Sequence, residues 1–187
     1  MNKKLYSVLA VLLIAILATS TVSAGAAIKL SSSNFALGSL ITSGVATGLG
    51  NTDWIFEVDA SGHASVICSN YGGNDVPGQS SPHVDGKGSQ AVPYEQISKN
   101  GKASFTVTAK PEEELNPIIP WDEGGCPNSN WSARIDFVYW DSATIKAIDP
   151  TTNEVAATFD FSCVTTRIPQ NDGYTFDDGT VSCTQIK

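Results

Sequence analysis

His63 and His83 are the only imidazoles in this 187-residue chain, and a nucleophilic relay needs one of them between a serine or cysteine and an orienting acid. His63 follows the turn-forming step Ala60-Ser61-Gly62, and His83 follows Pro82 in a polar stretch. Both read as exposed positions at strand starts, not as buried bases. No G-x-S-x-G, H-E-x-x-H or phosphate-binding glycine loop occurs. Paired carboxylates are the other route to hydrolysis, at glycosidic bonds. With 19 acids in the chain, pairs such as Asp122 and Glu123 are easily found, and they read first as a solvated loop face. The chain is expected to be non-enzymatic, with a carboxylate-dependent glycoside hydrolase as the catalytic alternative.

Binding chemistry is better represented. Hard cations take oxygen ligands from loops, and Asn70 with Asn74-Asp75, or Asn171-Asp172 with Asp177-Asp178-Gly179, are candidates for a structural calcium ion. Neither has EF-hand spacing, and no other metal or cofactor is expected. Flat aromatic faces can cover the C–H face of a sugar ring while nearby amides and acids bond its hydroxyls. Tyr71 opens an Asn- and Gly-rich loop, Trp121 sits in an acidic loop, and Trp140 falls on the polar side of its strand, so these three are the candidate ligand-binding residues. The competing reading of each is a ring that covers the edge of the core with its polar tip in water. Trp54 and Trp131 fall on apolar faces and are expected in the core.

The four cysteines, Cys68, Cys126, Cys163 and Cys183, include no C-x-x-C pair and none has a histidine close in sequence, which argues against zinc. Disulfides are expected, and four cysteines allow three pairings. Cys163 and Cys183 flank a short polar excursion and are read as partners, which leaves Cys68 for Cys126.

The elements that must position these residues alternate with period two. Trp54, Phe56 and Val58 lead through Ala60-Ser61-Gly62, read as a turn, into Ala64, Val66 and Cys68. Asn100-Gly101 suits a turn into Ala103, Phe105, Val107 and Ala109. Trp131, Ala133, Ile135, Phe137 and Tyr139 share one face, and after the turn Asp149–Asn153 so do Val155, Ala157, Phe159, Phe161 and Cys163. Weaker strands are read at Phe35–Val45, His83–Val92, Ala143–Ile148 and Thr180–Thr184. The fold class is all-β: an antiparallel β-sandwich of about eight strands, immunoglobulin-like in a loose sense and disulfide-stapled, with a barrel second. Phe161-Ser162-Cys163 lacks the tyrosine corner of true immunoglobulin domains. Asn70–Pro82 and the acidic loop 111–126, running on to Asn130, are long enough to be functional.

Lys3 and Lys4, the apolar run Leu5–Leu17 and the small residues Ala24-Gly25-Ala26 have the order of a cleavable signal peptide. The run is shorter than the roughly 20 residues of a spanning helix. The expected division is 1–26 signal peptide and 27–187 a single β-sandwich domain with a less typical C-terminal tail, 164–187. Removing 26 of 187 residues takes away two lysines and no acid, so the net charge moves from −8 to −10. So acidic a domain repels nucleic acid and anionic membranes. A secreted, extracytoplasmic location without stable membrane insertion is expected.

Gly48-Leu49-Gly50-Asn51-Thr52-Asp53, Cys68-Ser69-Asn70 with Gly72-Gly73-Asn74, Pro77-Gly78-Gln79, and Gly125-Cys126-Pro127-Asn128 with Asn130-Trp131 resemble segments of small, uncharacterised exported bacterial proteins. The resemblance covers most of residues 35–163 and implies export and a single domain, but no activity. It also discounts Asn130-Trp131-Ser132 as a glycosylation acceptor. The function expected is a secreted or cell-surface binding module for a polysaccharide or an envelope protein. The structural alternative is a self-assembling filament subunit in which Ile28–Leu49 is an extended arm that adds to a neighbour's sheet.

Overall fold

Strict alternation of buried and exposed residues carries the chain through ten strands. The computed structural model describes residues 27–36, 39–111, 117–168 and 178–186. The expected signal peptide and the Asn171-Asp172-Asp177 part of the tail candidate for calcium lie outside them. The strands are β1 (Lys29–Ala36), β2 (Leu40–Thr47), β3 (Trp54–Asn70), β4 (Asp75–Pro77), β5 (His83–Val92), β6 (Lys102–Pro111), β7 (Ile118–Ile119), β8 (Trp131–Asp149), β9 (Glu154–Ile168) and β10 (Asp178–Ile186). One short 3-10 turn, Tyr94–Gln96, is the sole helical segment among the described residues.

All pairings are antiparallel, and one continuous sheet runs β1-β2-β6-β5-β3-β8-β9-β10, with β4 paired to β3 and β7 to β8. The two outermost strands, β1 and β10, come together, so the sheet is nearly barrel-shaped. Among the described residues its narrowest seam is β5–β6, paired at Gly86↔Pro111 and Lys87↔Lys110. Beyond it the Gln90 side-chain oxygen accepts from the Thr106 N–H at 2.6 Å and bridges the opening strands. Across the interior Phe56 of β3 stacks on Phe105 of β6, with centroids 4.3 Å apart, and Phe35 of β1 meets Phe161 of β9 edge-on at 5.1 Å. Trp54, as expected, is buried, and its indole N–H donates to the Leu49 carbonyl at 2.7 Å.

Several expected elements are present with little change. β5 covers His83–Val92, β10 contains Thr180–Thr184, and Phe159, Phe161 and Cys163 of β9 face the core, whereas Val155, expected on the same face, is exposed because the β8–β9 register steps past Ala156. The β8–β9 turn closes with Asn153 at φ 57°, its N–H bonded to the Asp149 carbonyl at 2.7 Å. Both expected disulfides are formed. Cys68–Cys126 closes a separation of 58 residues, and Cys163–Cys183 joins directly opposed positions of β9 and β10. The segment Ile28–Leu49 is not an arm: it forms β1 and β2, and Phe35, Leu40, Ala46 and Leu49 are core residues.

Two corrections concern the centre of the sheet. Ala60-Ser61-Gly62 is not a turn, since β3 runs straight through it for 17 residues. Likewise 131–139 and 143–148 are not two strands but the single 19-residue β8. Both follow from two β-bulges in β8. The β3–β8 register steps from Ser61↔Ser142 to Gly62↔Trp140, leaving Asp141 unpaired, and from Ser65↔Phe137 to Val66↔Ile135, leaving Asp136 unpaired. An extra residue reverses which face the following side chains occupy. Ala133 and Ile135 point inward, then Val138 and Trp140, then Ala143, Ile145 and Ala147. Trp140, expected on the polar side, is therefore fully buried, and Phe137 and Tyr139, expected inward, turn outward. Gly62 is needed because a Cβ there would lie 2.1 Å from the Tyr139 carbonyl oxygen. On the other side, where β9 leaves the ladder, the Thr165 hydroxyl accepts from the Trp140 N–H at 2.9 Å and donates to its carbonyl at 3.1 Å.

Truncating the buried ring with Trp140→Ala is expected to cost about 3–5 kcal/mol, and crowding the bulge with Gly62→Ala about 1–3 kcal/mol. Trp140→Phe should cost less than Trp140→Ala, because the indole N–H has no acceptor among the described residues. Urea unfolding of the three variants measures all of this; an unchanged midpoint in Trp140→Ala would contradict the inward placement.

Candidate functional site

At one end of the sheet two loops are knitted to the end of β3 and the start of β8. Asn70 closes a tight turn in which its side-chain oxygen accepts the N–H groups of Gly72 and Asn74 at 2.9 and 3.1 Å, the local bonding that suits Asn to turns. β4 then returns along β3, and Gly78 N–H bonds the Val66 carbonyl at 2.8 Å. A second turn, 120–126, is closed by Gly124 N–H on Pro120 O at 3.0 Å and Cys126 N–H on Trp121 O at 2.8 Å. The two loops meet where Gln79 and Ser80 N–H groups reach Gly125 and Gly124 carbonyls at 3.3 and 3.4 Å. The Cys68–Cys126 bridge, packed with Val66, Ala133, Ile119 and Trp131, forms a small second core beneath them.

This construction leaves a cleft of ≈ 150 Å³ bordered by Ser69, Asn70, Tyr71 and the run 129–132. Ser132 Oγ donates to the Ser69 carbonyl at 3.2 Å and ties the two walls. The lining is two aromatic rings, amides and hydroxyls, with no ionised side chain. Tyr71 is 98% exposed, whereas Trp131 is half-buried on the disulfide. A ring that buries almost nothing is not covering the core. That distinguishes Tyr71 from Trp121, which is 38% exposed in the 120–126 turn and does not border the cleft. Trp140 is removed from this surface altogether by the bulge. Trp131 is expected in the core from its strand position; its pairing opposite Asn70, next to Asn130, also places it on the wall of the cleft.

Bulge reversal creates another feature, a strip on the outer face of β8. Arg167 bonds Asp136 at 2.7 Å and lies over the Phe137 ring, 5.0 Å from its centroid. Phe137 meets Tyr139 edge-on at 4.9 Å, Tyr139 stacks on His63 at 5.1 Å, and His63 Nδ1 meets Asp141 at 2.8 Å. Both unpaired bulge residues, Asp136 and Asp141, thus anchor the two ends of one continuous strip. Among the described residues the hydrogen-bond partners of His63 and His83 are the carboxylates of Asp141 and Asp85. Asp122 and Glu123 are exposed in the 120–126 turn and do not border the cleft. Asn70, one calcium candidate, spends its side-chain oxygen on the turn, and Asp75 accepts from Ser69. Among the described residues no group of three or more His, Cys, Asp or Glu is arranged to hold a metal ion.

No protein-family model, curated protein or solved structure matches this chain.

The strongest charge cluster lies on the same outer face. Lys146 of β8 bonds Glu57 at 3.1 Å and also Asp59, both on β3, and Lys87 of β5 lies 3.4 Å from Asp59. Burial works to raise the Asp59 carboxyl, but the hydrogen bond and charge of Lys146, helped by Lys87, outweigh it and hold the group below the usual carboxylate range. Bonds to Asp59 and Glu57 hold the Lys146 ammonium above its ordinary value against partial desolvation. The depressed Asp59 contributes stability above its unfolded pKa of 3.8 and loses it as pH falls through the lower folded value. The raised Lys146 contributes fully below 10.5 and loses it as pH rises through its higher folded value. Lys146→Met is therefore expected to lower stability by no more than about 1 kcal/mol near neutrality. In urea unfolding across pH the gap from the native chain should close in strong acid and in strong base; a gap independent of pH would contradict this.

Proposed function

We propose that this chain is an exported, non-enzymatic binding module that holds a polysaccharide at the loop end of its sheet. The barrel-like sheet serves as a β-sandwich scaffold, with β1-β2-β6 packed across the interior from β3-β8-β9. The observation that carries the reading is Tyr71: a 98% exposed ring beside a cleft walled by Trp131, Asn70, Asn130 and serine hydroxyls. Aromatic faces supply apolar area against sugar C–H groups, and amides and hydroxyls exchange hydrogen bonds with sugar hydroxyls. Because no ionised side chain borders the cleft, a neutral saccharide fits it better than an anionic one. A cleft of this size, well below the roughly 300–1,000 Å³ of drug-sized pockets, fits about one sugar ring, such as a chain end or a single unit of a polymer.

Export is the compartment that suits two disulfides, and among the described residues no helix is long and apolar enough to cross a membrane. The acidic charge argues against nucleic-acid partners. The loop site is held by the Cys68–Cys126 bridge, so binding is expected to need the oxidised protein.

Retention on a panel of insoluble neutral polysaccharides tests the reading, with Tyr71→Ala and Trp121→Ala in parallel. Tyr71→Ala should leave the melting temperature unchanged and weaken binding at least tenfold, about 1.4 kcal/mol, while Trp121→Ala should retain more affinity. Equal retention of the native protein and Tyr71→Ala would overturn the assignment of the cleft.

A further inference from the structure

The two histidines stand 20 positions apart in sequence, yet the β3–β5 ladder sets them directly opposite one another, His63↔His83. The type of pair matters. Ala64 N–H donates to the Pro82 carbonyl at 2.9 Å, so 64/82 is a hydrogen-bonded position and 63/83 falls on the alternate, non-hydrogen-bonded type. At such pairs the Cα atoms stand about 4.5 Å apart and the side chains approach most closely. Both rings are on the outer face: Gly62, Ala64 and Val84 point inward, and the His63 and His83 side chains are 44% and 67% exposed.

Each ring is held through one nitrogen by a carboxylate: His63 Nδ1 to Asp141 at 2.8 Å, and His83 Nε2 to Asp85 at 3.0 Å. The other nitrogen of each, Nε2 of His63 and Nδ1 of His83, has no protein partner among the described residues. A carboxylate on the second ring nitrogen is the arrangement that orients metal-ligating histidines and raises their basicity.

We propose that His63 and His83 form a two-imidazole chelate for one divalent transition-metal ion on the outer face of the β3–β5 ladder. Metal–nitrogen bonds of about 2.0–2.1 Å require the two donor atoms to come within roughly 3–4 Å of each other. Opposed side chains with Cβ atoms about 4.5–5.5 Å apart reach this by rotation about their own bonds, in which His63 slides on the Tyr139 ring it stacks against and the exposed Asp141 and Asp85 side chains follow their imidazoles, since exposed ion pairs of this kind are weak restraints. With two protein donors, water completes the coordination, and discrimination follows the general order in which Cu²⁺ binds above Ni²⁺ and Zn²⁺. This site is separate from the saccharide cleft and does not depend on it.

The test is titration of the untagged, disulfide-bonded protein with Cu²⁺, Ni²⁺ and Zn²⁺ near pH 7.5 by calorimetry, with His63→Ala and His83→Ala. One ion per chain is expected, bound most tightly as Cu²⁺, with each substitution weakening it at least fivefold while the urea midpoint stays within error of the native chain. A loss smaller than fivefold in either variant, or two independent ions per chain, would show that the imidazoles act singly and overturn the chelate.

Discussion

The long β3–β8 ladder is the constraint on which the rest of this structure depends. Burial alternates along β3 from Trp54 to Ser69 without interruption, so the irregularities of the ladder are absorbed by β8, at Asp136 and Asp141. Those two extra residues decide which aromatics fill the barrel and which face water. Trp140 fills the interior above Gly86, whose lack of a side chain makes room for the indole ring. Phe137 and Tyr139 are turned out to meet Arg167 and His63. A bulge also bends its strand and increases local twist, which helps the sheet to curl until β1 meets β10. β9 separates from β8 just beyond Ser142↔Ser162, next to the Asp141 bulge.

Below the bulges the ladder ends in a different construction, in which covalent and backbone bonds replace a large apolar core. Among the described residues the buried apolar side chains there are Val66, Cys68, Cys126 and Ala133. The disulfide ties turn 120–126 to β3, and hydrogen bonds from Gln79 and Ser80 tie that turn to the Asn70–Pro82 loop. Small residues make this closeness feasible: a side chain on Gly78 or Gly124 would come within 3.0 Å of Val66 atoms. A floor cross-linked in this way holds the two loops apart from collapse, and Tyr71 stands exposed beside the cleft that Trp131 also borders.

Much of the fold was legible because period-two alternation marks a strand wherever one face is buried. β5, β6 and β9 and the turn at Asp149–Asn153 could be placed from it, as could the two disulfides from the positions of the cysteines. Where alternation lapses, legibility lapses with it. Phe137-Val138-Tyr139-Trp140 is a run of four apolar residues, so either parity fits, and the flanking aspartates look like ordinary outward positions instead of extra residues. Gly62 signals a turn and a close approach with the same letter. The near-closure of the sheet was equally hidden, since inward and outward residues alternate alike in a sandwich and a barrel. In the site, loop composition pointed to Tyr71, but Trp131 was concealed by its strand position. The opposition of His63 and His83 depended on a strand pairing that no local pattern displays.

Hydroxyl-radical footprinting of the folded, oxidised protein, read residue by residue across Trp131–Asp149, tests the bulge-determined arrangement most directly. Two bulges predict oxidation of Tyr139 with Trp140 protected until the protein unfolds. Oxidation of Trp140 with protection of Phe137 and Tyr139, the outcome of an uninterrupted strand, would contradict it.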